Sequence, residues 1–180
     1  AYASAKYSSL AGYTSDVQEI MAELDLQEVT FVGHSVGGMM GVAAAAADPS
    51  RFKALVFLAS SPSYMDYPDD GYVGGTSQSD IHELLASLDN NYMVWAAAMA
   101  PVIMGNPDSP ELHAELEGGI CRINPTVARE FARVAFLTDI RHLLADVTVP
   151  TLVMQCSNDM LAPVEVGEYT QEQLPNATLT

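Results

Sequence analysis

The sequence predicts an α/β fold: a parallel sheet with helices on both faces, and a four-helix cap inserted between core strands. Three observations carry it. Short, nearly continuous apolar runs at 29–32, 52–59 and 150–156 read as strands buried on both faces, with helical stretches between them. The span 61–148 holds helical periodicity and no further strand of that kind. Finally, Gly33-His34-Ser35-Val36-Gly37 joins the first apolar run to a small-residue run, Met39 to Ala47, which is the pattern strand, tight turn, helix.

Taken in order, Ser9 to Leu26 reads as a helix. Val17, Ile20, Met21 and Leu24 fall at i, i+3, i+4 and i+7 and predict its buried face. Glu28 to Val32 is a strand, Gly38 to Asp48 an alanine-rich helix narrow enough to lie close on a sheet, and Phe52 to Ala59 a second strand. Tyr64 to Gly75, rich in Gly, Asp and Tyr, is a loop. Four helices follow, near 79–90, 91–104, 110–122 and 125–138. Ile81, Leu84, Leu85 and Leu88 make one apolar stripe, and Val127, Phe131 and Val134 another. Asn106-Pro107 and Asn124-Pro125 punctuate them. Ile140 to Ala145 is expected to return to the sheet. Pro150 to Cys156 is the third strand, Val164 to Leu174 a helix, and Ala177 to Thr180 the start of a further strand. The organisation is therefore core over 1–60, cap over 61–148 and core again over 149–180.

Composition narrows the function. Of 180 residues 49% are hydrophobic and 17% charged, enough for one sizeable core. Twenty-three acids against 7 Lys and Arg leave a formal charge of −16, which repels nucleic acid and anionic membrane. No apolar run approaches the roughly 20 residues of a membrane span. Cys121 and Cys156 are expected to be two free, buried thiols of a cytoplasmic protein. The four histidines lack metal-ligand spacing, so neither a metal nor another cofactor is expected.

The chemistry sits in the turn. A G-x-S-x-G between strand and helix lifts a serine hydroxyl clear of the sheet edge. It leaves N–H groups of the helix start, Val36 first, aimed at whatever Ser35 attacks. Side chains at Gly33 or Gly37 are expected to collide with neighbouring backbone. The competing reading is a glycine-rich turn with a buried, satisfied serine. Asp159 follows the third strand, with Ala162-Pro163 after it, where a triad acid would orient an imidazole. Alone it reads as a turn former or helix cap; in the order serine then acid, the catalytic reading wins. Asp66, Asp139 and Asp146 are weaker candidates because none follows that strand. His34, His82, His113 and His142 all precede Asp159, and none is assigned as the base. His34, beside the nucleophile, reads as a pocket wall or a structural hydrogen bond.

Further segments carry a resemblance. Gly33 to Met39, Ala59-Ser60-Ser61-Pro62-Ser63-Tyr64, Asn90-Asn91-Tyr92-Met93-Val94-Trp95, Arg133 to Arg141 and Val149 to Cys156 resemble one α/β-hydrolase family. It is the RsbQ-type group of bacterial stress-regulator hydrolases, to which plant strigolactone and karrikin receptors also belong. The resemblance spans essentially the whole chain, cap included. It implies Ser35 as nucleophile, Asp159 as acid, the Val36 N–H as an oxyanion donor, and His34, Trp95, Met99 and Phe136 as pocket residues. For Trp95, Met99 and Phe136 ordinary cap packing is the rival reading. The family's early strands, its second oxyanion donor and its C-terminal Gly-His have no counterpart here, so the chain is expected to be a piece truncated at both ends. The strand at 29–32 would then be an exposed apolar edge. The expected activity is a serine hydrolase acting on a small hydrophobic ester or lactone through an acyl-enzyme. The alternative is a ligand sensor that binds a PAS-type regulatory phosphatase with little turnover. The 180 residues alone are expected to be inactive.

Overall fold

The computed structural model describes residues 2–180. After a short 3-10 turn at Lys6–Ser8 come α1 (Leu10–Glu23), β1 (Val29–His34), α2 (Val36–Ala47) and β2 (Phe52–Leu58). Four helices follow: α3 (Gln78–Asn90), α4 (Tyr92–Met104), α5 (Pro110–Cys121) and α6 (Pro125–Leu137). The chain closes with β3 (Thr151–Met154), α7 (Val164–Gln173) and β4 (Ala177–Leu179). All strand pairings are parallel, in the order β1-β2-β3-β4, with Val32 beside Val56, Val56 beside Leu152 and Leu152 beside Thr178. Each strand thus adds beside its predecessor, and each connection crosses back over the sheet.

Small residues let α2 lie close on β1 and β2. Met39, Val42, Ala44 and Ala45 are fully buried, and a Cβ at Gly41 would come within 2.6 Å of the Phe31 ring. The α1 helix packs on α2. Its contact stripe is Leu10, Thr14, Val17 and Met21, so half the expected face is misplaced: Ile20 is 54% and Leu24 65% exposed. Periodicity finds an apolar stripe, but the partner helix selects which residues of it are covered.

The cap forms a second cluster, Ile81, Leu85 and Leu88 of α3 with Tyr92 of α4 and Ala128 and Ala132 of α6. The α3 stripe is as expected. Caps set these helices locally. The Ser77 hydroxyl accepts from Asp80 N–H, the Asn91 side chain from Val94 N–H, and the Asn124 side chain from Thr126 N–H ahead of an α6 whose first residue is proline. Farther along α6, Val134 and Ala135 belong to the sheet's own core.

Residues 140–145 do not return to the sheet. Arg141–Asp146 is a 3-10 helix. Asp139 opens it by accepting the Arg141 N–H at 3.0 Å, and Leu144 and Val147 are wholly buried at helical rather than alternating spacing. Neither cysteine is buried either: Cys121 is half-buried and Cys156 exposed, both free. Cys121 ends a helix that buries none of its side chains, and Cys156 lies beyond the end of β3. Among the described residues β1 is an edge strand, with Val32 61% exposed.

Candidate active site

Ser35 is the single residue between β1 and α2, with φ 53° and ψ −126°. A side-chain-bearing residue in the left-handed region costs on the order of 1–3 kcal/mol and persists only where neighbours over-determine it. Here the Ser35 N–H donates to the Leu58 carbonyl at 3.1 Å. Its own carbonyl accepts from the Gly38 N–H at 2.9 Å and from the Ser60 hydroxyl. The two motif glycines differ. A Cβ on Gly33 would stand 2.4 Å from the Gly37 carbonyl oxygen, whereas a Cβ on Gly37 would meet nothing within 4 Å. The expected collision at Gly37 is therefore absent: the turn brings Gly37's backbone onto Gly33, and its Cα points outward. Val36 is the first residue of α2, so its N–H belongs to the first turn, which has no intrahelical acceptor.

The Ser35 hydroxyl lies 3.0 Å from the Tyr64 hydroxyl. Tyr64 is 3% exposed and its ring packs on Phe136 at 5.5 Å. Burial pushes its hydroxyl above the ordinary tyrosine value, the Ser35 bond works against this, and the charge of Asp159 adds to it.

Ser35, Tyr64 and Asp159 line one cleft of about 510 Å³, which His34, Cys156 and Asn158 also border. Asp159 accepts from the N–H groups of Leu161 (2.8 Å) and Ala162 (3.1 Å), both on Oδ1. It therefore shapes its own turn while bordering the cleft beside Ser35. The weaker acid candidates are engaged elsewhere. Asp66 accepts from Gly74 and Gly75 N–H, at 2.8 and 2.9 Å. Asp139 makes a two-pronged bond to Arg141; burial opposes its ionisation, but Arg141 outweighs burial and holds its carboxyl below the ordinary value. Asp146 is exposed. Of the histidines, His34 borders the cleft; His113 bonds the Gly105 carbonyl; His82 and His142 are exposed.

Above Ser35 a cavity of about 1000 Å³ opens between sheet and cap, at the upper end of the range for small-molecule sites. His34, Ser35, Val36 and Gly37 line its floor, and Trp95 and Phe136 its walls. Met99 is not on this wall. By spacing it shares the α4 stripe with Trp95 and Ile103, but a long unbranched side chain can leave a stripe its backbone occupies. Tyr92, Ile103 and Phe131 line the cavity and were not anticipated there. Tyr92 stacks on Trp95 at 6.4 Å and donates to the Ile120 carbonyl at 2.7 Å, pinning α4 to α5. The Trp95 Nε1–H is buried with no partner among the described residues. Tyr64 was also missed as a site residue; its place just past the carboxyl end of β2 was the available signal.

A strained serine at a strand–helix turn under a cap, on a parallel sheet, defines the class, and comparison with known proteins agrees. The family model for the alpha/beta hydrolase fold matches residues 8–180, and the chain belongs to that family. It is 34% identical over 174 residues to a karrikin insensitive 2 receptor of Petunia hybrida and 31% identical over 173 residues to a strigolactone esterase of Arabidopsis thaliana. These alignments take in 97% and 96% of this chain and 64% of either relative. Among solved structures, a hydrolase from Oleispira antarctica superposes with a TM-score of 0.95 at 40% identity, over 100% of this chain and 66% of that one. The chain thus spans about 64% of the length of these curated relatives. No helix among the described residues is long and apolar enough to cross a membrane.

Proposed function

We propose that the polypeptide carrying this chain is a serine hydrolase that opens a small hydrophobic ester or lactone through an acyl-enzyme on Ser35. The observation that carries this reading is the strained Ser35 on the floor of an apolar cavity, in one cleft with Asp159. In this reading an imidazole base, contributed from outside these residues and oriented by Asp159, takes the Ser35 proton. The Ser35 oxygen adds to the carbonyl carbon, and the Val36 N–H holds the developing oxyanion. Expulsion of the alcohol leaves the acyl-enzyme, which water then hydrolyses. Trp95 and Phe136 select an apolar acyl or ring group. The test is labelling of the full natural polypeptide with a fluorophosphonate: it should label, and Ser35→Ala should not. Labelling that survives the substitution overturns the assignment.

A second reading is a ligand sensor that binds a PAS-type regulatory phosphatase with little turnover; the receptor named among the relatives supports ligand sensing alone. Titration calorimetry against such a phosphatase decides it. Binding that responds to cavity ligand and survives Ser35→Ala supports it; absence of binding rejects it.

A further inference from the structure

We propose that Tyr64 takes part directly in the reaction: its hydroxyl, held against Ser35 Oγ, donates a hydrogen bond to the alcohol-side oxygen of the ester as that oxygen leaves. This rests on the serine-hydrolase reading of the same site and assigns a group that the triad does not include.

Three observations carry it. First, the Tyr64 hydroxyl stands 3.0 Å from the attacking oxygen. Once Ser35 Oγ is bonded to the substrate carbon, the other oxygens on that carbon lie one bond farther on, within the same hydroxyl's reach. Second, Tyr64 is on one particular side of the nucleophile. It borders both the cap cavity and the cleft of Asp159, whereas Val36 borders only the cavity. The oxyanion turns toward Val36, so the oxygen nearer Tyr64 and the acid is the alkoxy oxygen. Third, the hydroxyl is held by what precedes and flanks it. Ser60, Ser61 and Ser63 are fully buried. Ser61 Oγ donates to the Ser63 carbonyl, Tyr72 donates to the same carbonyl at 2.6 Å, and the Pro62 carbonyl accepts from Ile140 N–H at 2.9 Å. Phe136 closes on the ring. A buried side chain fixed this firmly keeps its donor in place without reorganisation as charge develops.

Burial also fixes the sign of the role. Tyr64 stays neutral at working pH, so it donates and does not act as a base. In the step concerned, the carbon–oxygen bond to the alcohol breaks and its electron pair goes to the alkoxy oxygen. The proton that oxygen receives is the one the imidazole base took from Ser35. Tyr64 keeps its own proton throughout.

The experiment uses the full natural polypeptide, with rates expressed per serine titrated by fluorophosphonate so that unfolded molecules do not count. Two acetate esters are compared, one with an alkyl alcohol and one with 4-nitrophenol. A donor to a poor leaving group is worth more than one to a good leaving group. Tyr64→Phe should therefore lower kcat/KM for the alkyl ester by roughly 10–100-fold, the size of one hydrogen bond to a charged oxygen. The nitrophenyl ester should fall less than about threefold. Equal losses on both esters, or none, overturn the proposal. Thr170→Val removes a fully buried hydroxyl that touches neither Ser35 nor the Tyr64 loop; if it reproduces the leaving-group pattern, the effect is structural and the proposal fails. Placing 3-fluorotyrosine at position 64 keeps the shape and strengthens the donor. It should change only the alkyl ester rate, and an unchanged rate there overturns the proposal even if Tyr64→Phe does not fold. If Ser35→Ala still labels, the hydrolase reading itself has failed, which these outcomes keep separate.

Discussion

The sheet cluster and the cap cluster enclose different things. Around α2 and β2, Met39, Val42, Ala44 and Phe57 are at most 2% exposed and press on one another, and the strained Ser35 at the head of α2 is itself half-buried on the cavity floor. The cap's six buried residues instead sit beside a cavity of about 1000 Å³, walled in part by Trp95 and Phe136. Backbone strain needs neighbours that over-determine it, and the sheet supplies them. A ligand site needs space, and the cap encloses it. On the proposed function, reactivity and recognition are thus separated by how completely each region is packed.

Five substitutions and one titration break or sharpen that contrast. The largest stability loss is expected for Gly33→Ala, whose Cβ would stand 2.4 Å from backbone that cannot retreat without undoing the elbow. Urea unfolding should show a loss of about 3–5 kcal/mol. Gly37→Ala, in the same motif but facing open space, should stay within about 1 kcal/mol of the parent. Equal losses would mean the elbow is not held by the Gly33 contact. Next, Phe57→Ala should cost about 3–5 kcal/mol and Leu88→Ala, which borders the cavity, about 2–3, because its surroundings can relax into existing space. A cap residue that proves the costlier would reverse the comparison. Trp95→Phe keeps an aromatic wall and removes the unpartnered donor. Thermal unfolding should show a protein at least as stable, because the buried, unpartnered N–H is gone.

The smallest effect is electrostatic. Asp139 has a lowered carboxyl through Arg141, which also stacks on the Tyr67 ring at 3.9 Å and the Tyr72 ring at 4.7 Å. A carboxylate depressed on folding contributes stability that is complete above its unfolded value near 3.8 and is lost as pH falls through the folded value. Asp139→Asn should therefore lower stability at neutral pH and flatten the acid limb below about 4, where the difference from the parent closes. An unchanged acid limb would remove this pair from the fold's acid response.

Much of this was legible in the chain because the decisive signals are local. Gly33 to Gly37 announces the elbow because strand, turn and helix are contiguous, and Asn91 and Asn124 announce α4 and α6 because a cap acts within three residues. What was not legible depends on partners far away in sequence. Ile20 and Leu24 look buried until α2 takes up the Leu10–Met21 stripe. Residues 140–145 look like a strand until Leu144 finds the core through a 3-10 turn. Tyr64 meets Ser35 across 29 positions, and no spacing rule connects a residue after β2 to one before α2. Met99 shows the reverse: its spacing matches the cavity stripe, and its side chain is elsewhere.

The α6 helix is anchored at both ends of its length. Ala128 and Ala132 are locked into the cap and Val134 and Ala135 into the sheet, with less than one turn between the two grips. The lid over Ser35 therefore has no free hinge along this edge. To gape, it must twist α6 between those grips, or prise one pair of side chains out into water. The one cap helix that buries none of its residues is α5, so displacing it forfeits the least buried contact, and the wall it forms is the cheapest part of the enclosure to open.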